Sequence, residues 1–380
     1  MTTERTATEP GPPASFIRRE FTLLAILIVL AVGAFLMTRR VASGNAAMRR
    51  ADAAAWYSRG QDDARAGRIE PALIALRRAT VRDPSNRRYR IALANALQAG
   101  HHEADARKVL EGLRELQPDD AETNLELAQL EASEGDVAAA RRYYLNALSA
   151  LWKPDEAPAR AGIRLELIEL FLAHGERDRA LAELLNLTVG LPSDPRVEAR
   201  VGRMFLEAGD PSQAMNRFLR ALNADPRNGD ALAGAGQAAF ALRDYATARR
   251  YLSQSPRTEQ VVRLQTIVNL VLSADPLARG LSAVDRGQRL TVAYEQAMTT
   301  LAACTAKQAG TPSGVGSGLE ALSSEARGFE PAIREGHPSR DIAESVVDLI
   351  LRIEQTVESA CGTQSPFDQA LLLIGQRHQE

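Results

Sequence analysis

Lysine is nearly missing from this chain. Of 46 basic residues only Lys108, Lys153 and Lys307 are lysines, a bias toward arginine that suits a GC-rich bacterial genome. There are two cysteines and 5% aromatic residues in 380 positions, and no Cys-x-x-Cys, His-Glu-x-x-His or nucleophile-elbow motif. The five histidines, His101, His102, His174, His337 and His378, make no ligand cluster in sequence. No catalytic residue, metal ligand, cofactor or small-molecule substrate is therefore expected. No excess of one charge is present either. A net charge of −2 and a pI near 6.3 give no electrostatic footprint for nucleic acid. The Gly-x-Gly of "GTPSGVGSG" (310–318) has no preceding strand and no following Gly-Lys-Ser, so it reads as a linker and not a phosphate loop.

What the chain does have is an interval. Ala72, Ala106 and Ala140 are 34 residues apart, and so are Ala180, Ala214 and Ala248. Six extra residues separate the two sets of three. Four positions after each alanine stands a bulky residue: Leu76, Leu110, Tyr144, Leu184, Phe218 and Leu252. Five positions before it, four copies have glycine (Gly67, Gly135, Gly175, Gly209). Prolines close four copies at Pro84, Pro118, Pro192 and Pro226. A small residue in each unit lets two helices cross closely, and a bulky one a turn later fills the space beside the crossing. Glycine supplies a left-handed helix end, and proline stops the second helix. Helical hairpins of this kind bury enough only by stacking.

With Trp56, Gly60, Ala64, Ala72, Leu76, Ala79 and Pro84 in the first copy, and Val201, Gly202, Phe205, Ala214, Phe218, Ala221 and Pro226 in the fifth, the array resembles the tetratricopeptide repeat family. The six copies fall at about 53–86, 87–120, 121–154, 161–194, 195–228 and 229–262. The third departs from the pattern, having Trp152 where proline is expected. The resemblance implies an all-α, right-handed superhelical solenoid whose first helices line a groove for a protein partner. Groove positions so implied are Tyr57, Gln61, Arg65, Ile91, Asn95, Gln98, Leu125, Gln129, Leu165, Glu169, Arg203, Gln237 and Phe240. The fifth positions of the copies, Tyr57, Ile91, Leu125, Leu165, Ala199 and Ala233, contain no base. They speak against a basic clamp for acidic chaperone tails and for an apolar or amphipathic protein segment.

One long apolar run precedes the repeats. Residues 21–38 carry no charge and lie between Arg18-Arg19-Glu20 and Arg39-Arg40. As a helix they reach about 27 Å, enough for the hydrocarbon core. The competing reading is a cleaved signal peptide, for which "VASGNA" offers a small-residue site; the length of the run and the intervening Arg39-Arg40 favour an uncleaved anchor. The organisation expected is a disordered tail over 1–20, a transmembrane helix over 21–38, a juxtamembrane segment over 39–52, the solenoid over 53–262 and a helical module over 263–380. Orientation is divided. Arg5, Arg18 and Arg19 precede the span, while Arg39, Arg40, Arg49 and Arg50 follow it and slightly favour a cytoplasmic array. A disulfide between Cys304 and Cys361 would place the array in an oxidising compartment, whereas two buried thiols would not.

In the last third, helices are expected at about 280–307, 340–361 and 366–378, the last with Ser365 as N-cap and Pro366 at its first position. Ile342, Val346, Val347, Ile350, Ile353 and Val357 form an apolar stripe on the middle one. The functional expectation is a single-pass inner-membrane scaffold for protein–protein contacts in envelope assembly, export or quality control, with its repeats outside the cytoplasm. Two alternatives are a cytoplasmic tether for soluble factors and a regulatory accessory of an envelope enzyme.

Overall fold

A computed structural model describes residues 14–187, 191, 194–308, 315–362 and 365–379. Among these residues there is no strand. The chain divides after Leu151 into two compact units. The first holds α1 (Ala14–Arg65), α2 (Ile69–Arg82), α3 (Arg87–Ala99), α4 (Glu103–Leu116), α5 (Ala121–Glu134) and α6 (Val137–Ser149). The C-terminal part of α1 pairs with α2, α3 with α4, and α5 with α6.

In the second unit α7 (Ala157–Ala173) pairs with α8 (Arg177–Asn186), α9 (Pro195–Ala208) with α10 (Pro211–Ala224), and α11 (Gly229–Ala241) with α12 (Tyr245–Leu252). Five further helices follow: α13 (Glu259–Ala274), α14 (Ala283–Gln308), α15 (Val315–Arg334), α16 (Arg340–Cys361) and α17 (Pro366–His378).

The interval in the sequence becomes the packing of the hairpins. All six repeat alanines, from Ala72 to Ala248, are fully buried, as are the bulky residues a turn later. Phe218 shows why small partners recur. A Cβ at Gly202 of α9 would meet its ring at 2.8 Å, and one at Gly234 of α11 would meet it at 2.2 Å. The ring thus fills space that two glycines leave open, one in its own hairpin and one in the next.

The hairpin turn is left-handed in every copy. Gly67, Gly135, Gly175 and Gly209 have φ between 71° and 90°, and His101 and Arg243 hold φ 59° at the corresponding places in the second and sixth copies. The turn geometry therefore outranks the residue: packing on both sides fixes the chain even where an L side chain opposes it. His101 is well exposed, and its one ion-pair contact among the described residues is with Glu103 at 3.6 Å. His101→Gly is accordingly expected to raise stability by about 1 kcal/mol, read as an upward shift of the urea midpoint.

Several boundaries differ from the sequence reading. Helix α1 starts at Ala14 and runs unbroken for 52 residues, so residues 14–20 are helical and the juxtamembrane segment continues straight into the first hairpin. Residues 1–13, Pro192 and 309–314 lie outside the described residues. Val315–Gly318, read as linker, form the first turn of α15. No sequence signal marked α15 or α13, because Pro331 interrupts the former and the 34-residue register has already faded at the latter.

Residues 263–380 pack directly on the last hairpin. Tyr245, Ala248 and Leu252 of the last hairpin share one apolar core with Val268, Leu290, Leu301, Val346, Ile350 and Leu371. The open end of the second unit's stack is closed by this layer, as a terminal repeat requires. Cys304 of α14 and Cys361 of α16 are disulfide-bonded, with Cα atoms 5.9 Å apart, closing 57 residues. Replacing both with serine should lower stability by about 2–4 kcal/mol, seen as a reductant-insensitive drop in melting temperature.

Candidate functional site

Each described residue from Leu27 to Met37 of α1 is exposed, with Val29 69% and Phe35 64% accessible. This helix is long and apolar enough to cross a membrane. None of the described residues covers those side chains, and leaving them in water would cost about 25 cal/mol for each Å² of apolar surface.

On the first helices of the first unit, Tyr57 stacks on Tyr89 with ring centroids 4.7 Å apart, and the Gln61 amide donates to the Tyr57 hydroxyl at 2.6 Å. Arg65 pairs with Asp62 at 3.0 Å. Asn95 is exposed and donates to Glu126 at 3.3 Å. Leu125 and Gln129 are half-buried on α5, and the Gln98 Nε2 is enclosed with no partner. Ile91 is a correction: it is 5% exposed and belongs to the core. An aliphatic side chain there gains more from the helix seam than from a solvent-facing groove, whereas polar Asn95, one turn on, stays in water.

Leu165 in the second unit is likewise buried, at 7% exposure. Phe240 is half-buried, packing edge-on against Tyr245 with centroids 5.8 Å apart and joining the core. Gln237 is half-buried on α11. The aliphatic lining expected at Ile91 and Leu165 is therefore absent, and the accessible first-helix surface is more polar than the sequence suggests.

Glu169 and Arg203 do come together. They line a cleft of about 530 Å³ between α7 and α9, with Leu172, Arg196, Arg200 and Met204. Arg200 donates to Glu169 through Nε at 3.0 Å, neutralising that carboxylate. Arg203 sits 4.0 Å from Asp230, a loose and well-exposed pair. Arg196 makes no side-chain hydrogen bond or ion pair among the described residues. Glu207 is the other acid on the rim. The cleft thus combines apolar Leu172 and Met204 with an excess of one positive charge.

Residues 196, 200, 203 and 207 follow one another at steps of four, three and four on α9, which puts them on one helix face. That spacing was the signal for Arg196 and Arg200. The repeat pattern drew attention instead to the fifth positions, where Ala199 is buried.

Elsewhere the charges serve the stack. Arg107 of α4 forks onto Glu131 of α5 with two contacts of 3.0 Å and reaches Glu134 at 2.7 Å. These hydrogen bonds hold the guanidinium well above its ordinary range and tie the second copy to the third. Among the described residues no group of three or more His, Cys, Asp or Glu side chains could hold a metal ion.

Tetratricopeptide repeat family profiles match two stretches, residues 91–158 and 205–269. These two stretches are tetratricopeptide repeats. The chain's solved neighbours include PilW, a type IV pilus biogenesis factor, at 19% identity, covering 55% of this chain and 96% of that one with a TM-score of 0.43. Pseudomonas aeruginosa pilF is 17% identical, covering 59% and 86% with a TM-score of 0.33. YrrB, a TPR protein with an unusual peptide-binding site, is 17% identical, covering 50% and 92% with a TM-score of 0.39. No curated protein matches the chain. Tetratricopeptide arrays are protein-interaction scaffolds, and this one carries the α7–α9 cleft on the first helices of two successive repeats.

Proposed function

We propose that the chain is a single-pass membrane scaffold that holds a protein segment in the α7–α9 cleft, in the service of envelope assembly, export or quality control. The observation that carries this reading is the cleft itself: a large first-helix depression with Arg196 unpaired among the described residues. A purely apolar segment would bury Arg196 and Arg203 without compensation, which is costly. An amphipathic segment bearing a carboxylate would answer both the apolar floor and the charge.

The test is a random peptide library panned on the full chain in detergent and on an Arg196→Glu/Arg203→Glu variant. Peptides selected by the native chain should be enriched in Asp or Glu beside an apolar residue, and the variant should bind them at least about 30-fold more weakly, the loss expected for two charge-assisted contacts. Selected peptides without acids, or equal binding by the variant, would remove the cleft from the account.

The Cys304–Cys361 disulfide supports placing the repeats outside the cytoplasm, in the periplasm of a bacterial envelope. Arg39, Arg40, Arg49 and Arg50 favour the opposite side, and with it a cytoplasmic tether. We give the disulfide the greater weight because the arginine counts before and after the span differ by only one. C-terminal fusions decide between them. Active alkaline phosphatase with a dark cytoplasm-only fluorophore is the expected result, and the reverse would make the protein a cytoplasmic tether.

A further inference from the structure

Two buried carboxyl groups line one small cavity at the α16–α17 seam, and among the described residues no cation pairs with either. Glu354 of α16 and Asp368 of α17 are each 3% exposed. Both line one small cavity of about 10 Å³, together with Thr300, Val357, Glu358 and Gly362. Asp368 is half satisfied: its Oδ1 accepts from the Gln296 amide at 2.9 Å and lies 3.0 Å from the Thr300 hydroxyl. Its Oδ2 has no partner, and neither has Oε1 of Glu354. Asp368 cannot easily turn away, since it occupies the first turn of α17 with its own N–H donating to the Ser365 cap at 3.2 Å.

Two ionised carboxylates in this position would be untenable. The charged groups acting on Glu354 are Asp368 from α17 and Glu358 on its own helix, and both are acidic. From α14 the cavity receives neutral Thr300 and the Gln296 amide that holds Asp368. From α15 the acid paired across to α16, Glu325, is engaged by Arg352 at 2.9 Å. A water of the cavity's size would satisfy hydrogen bonds but leave both charges in place. A metal cation would need about six oxygen ligands, more than two carboxyl groups and a hydroxyl supply. One proton answers everything: on Glu354 Oε1 it removes a charge, and donated to Asp368 Oδ2 it satisfies both orphaned oxygens.

We propose that Glu354 and Asp368 share one proton in the native chain, so that α16 and α17 are latched at acidic and neutral pH and loosen in alkali. Burial first, and then the carboxylates of Asp368 and Glu358, push the Glu354 carboxyl up to about 8. The sign follows from linkage. The folded value lies above the unfolded one of 4.5, so the contribution is complete below 4.5 and is lost as pH rises through 8. Across that window the folding equilibrium constant weakens by about tenfold per pH unit on this account.

The test uses the full chain in detergent with Glu354→Gln, which keeps the shape and a donor toward Asp368 but cannot ionise. The native chain should show the carbonyl stretch of a protonated carboxyl in the infrared at pH 6.5, lose it by about pH 9.5, and melt at lower temperature at the higher pH. E354Q should lack that band and show less loss of melting temperature between the two. Asp368→Asn, which removes the neighbouring charge, should move the titration of the band to lower pH. No titrating carboxyl band in the native chain, an identical band in E354Q, or a midpoint unmoved by D368N would each overturn the shared proton. So would calcium or magnesium raising the melting temperature of the native chain and not of E354Q, since that would make the pair a cation site.

Discussion

Truncating the chain at residue 262 is expected to unfold the last hairpin and not simply to remove a neighbour. The cut would strip the cover from Tyr245, Ala248, Leu252 and Val261, all 2% exposed or less. Each large side chain so uncovered forfeits about 1.5–3 kcal/mol, and three of them together rival the whole stability of a domain. The loss should be read as new hydrogen exchange throughout α11 and α12, with protease cleavage following. Retained protection there would mean that the last hairpin stands without its C-terminal layer. The consequence for functional work is direct: whether the C-terminal region or the repeat face binds a partner has to be decided with surface substitutions, because a deletion would damage both.

Phe218→Ala should be nearly as severe, costing about 3–5 kcal/mol. Phe218 is 1% exposed and occupies the space left by Gly202 and Gly234. Removing it opens a cavity between two successive hairpins, and neither glycine has a side chain with which to fill it. The reciprocal change makes the comparison sharp. Gly234→Val would drive new atoms into the ring, where even a Cβ comes within 2.2 Å. It should destabilise by overpacking in the native chain and less so in the F218A background, a coupling that a double-mutant cycle measures. Additive effects would mean that the ring and the glycines do not share the space assigned to them.

These two cases also show which parts of the structure were legible in the sequence. The alanine–bulky pair at 34-residue spacing translated directly into hairpins, because each position has one packing job repeated in every copy. The left-handed turns at His101 and Arg243 were hidden, since a residue tolerated by packing carries no propensity signal. The tail over 14–20 was hidden as well: helix propagation from the apolar run is cooperative and ignores composition boundaries. Family positions led to Glu169 and Arg203 of the cleft, but also to Ile91 and Leu165, which lie outside it and are buried. A repeat pattern says which face of a helix is turned inward; it does not say how deep an aliphatic side chain settles. The spacing of Arg196, Arg200 and Arg203 marked one face of α9, but that Glu169 and Leu172 of α7 complete a cleft with them showed only in the packed structure. The Glu354–Asp368 pair had no motif, because its two halves lie on separate helices and matter only through their shared burial.

The most direct test of the scaffold account is a photo-crosslinking scan in growing cells, with a photoreactive residue placed singly at Arg196, Arg203 and Glu207 in the cleft, and at Arg220 and Arg249 on second helices. The account predicts a common protein adduct from the cleft positions, weakened by reversing Arg196, and none from the second helices. Adducts confined to the second helices, or an adduct from Arg203 that survives Arg196→Glu undiminished, would contradict it.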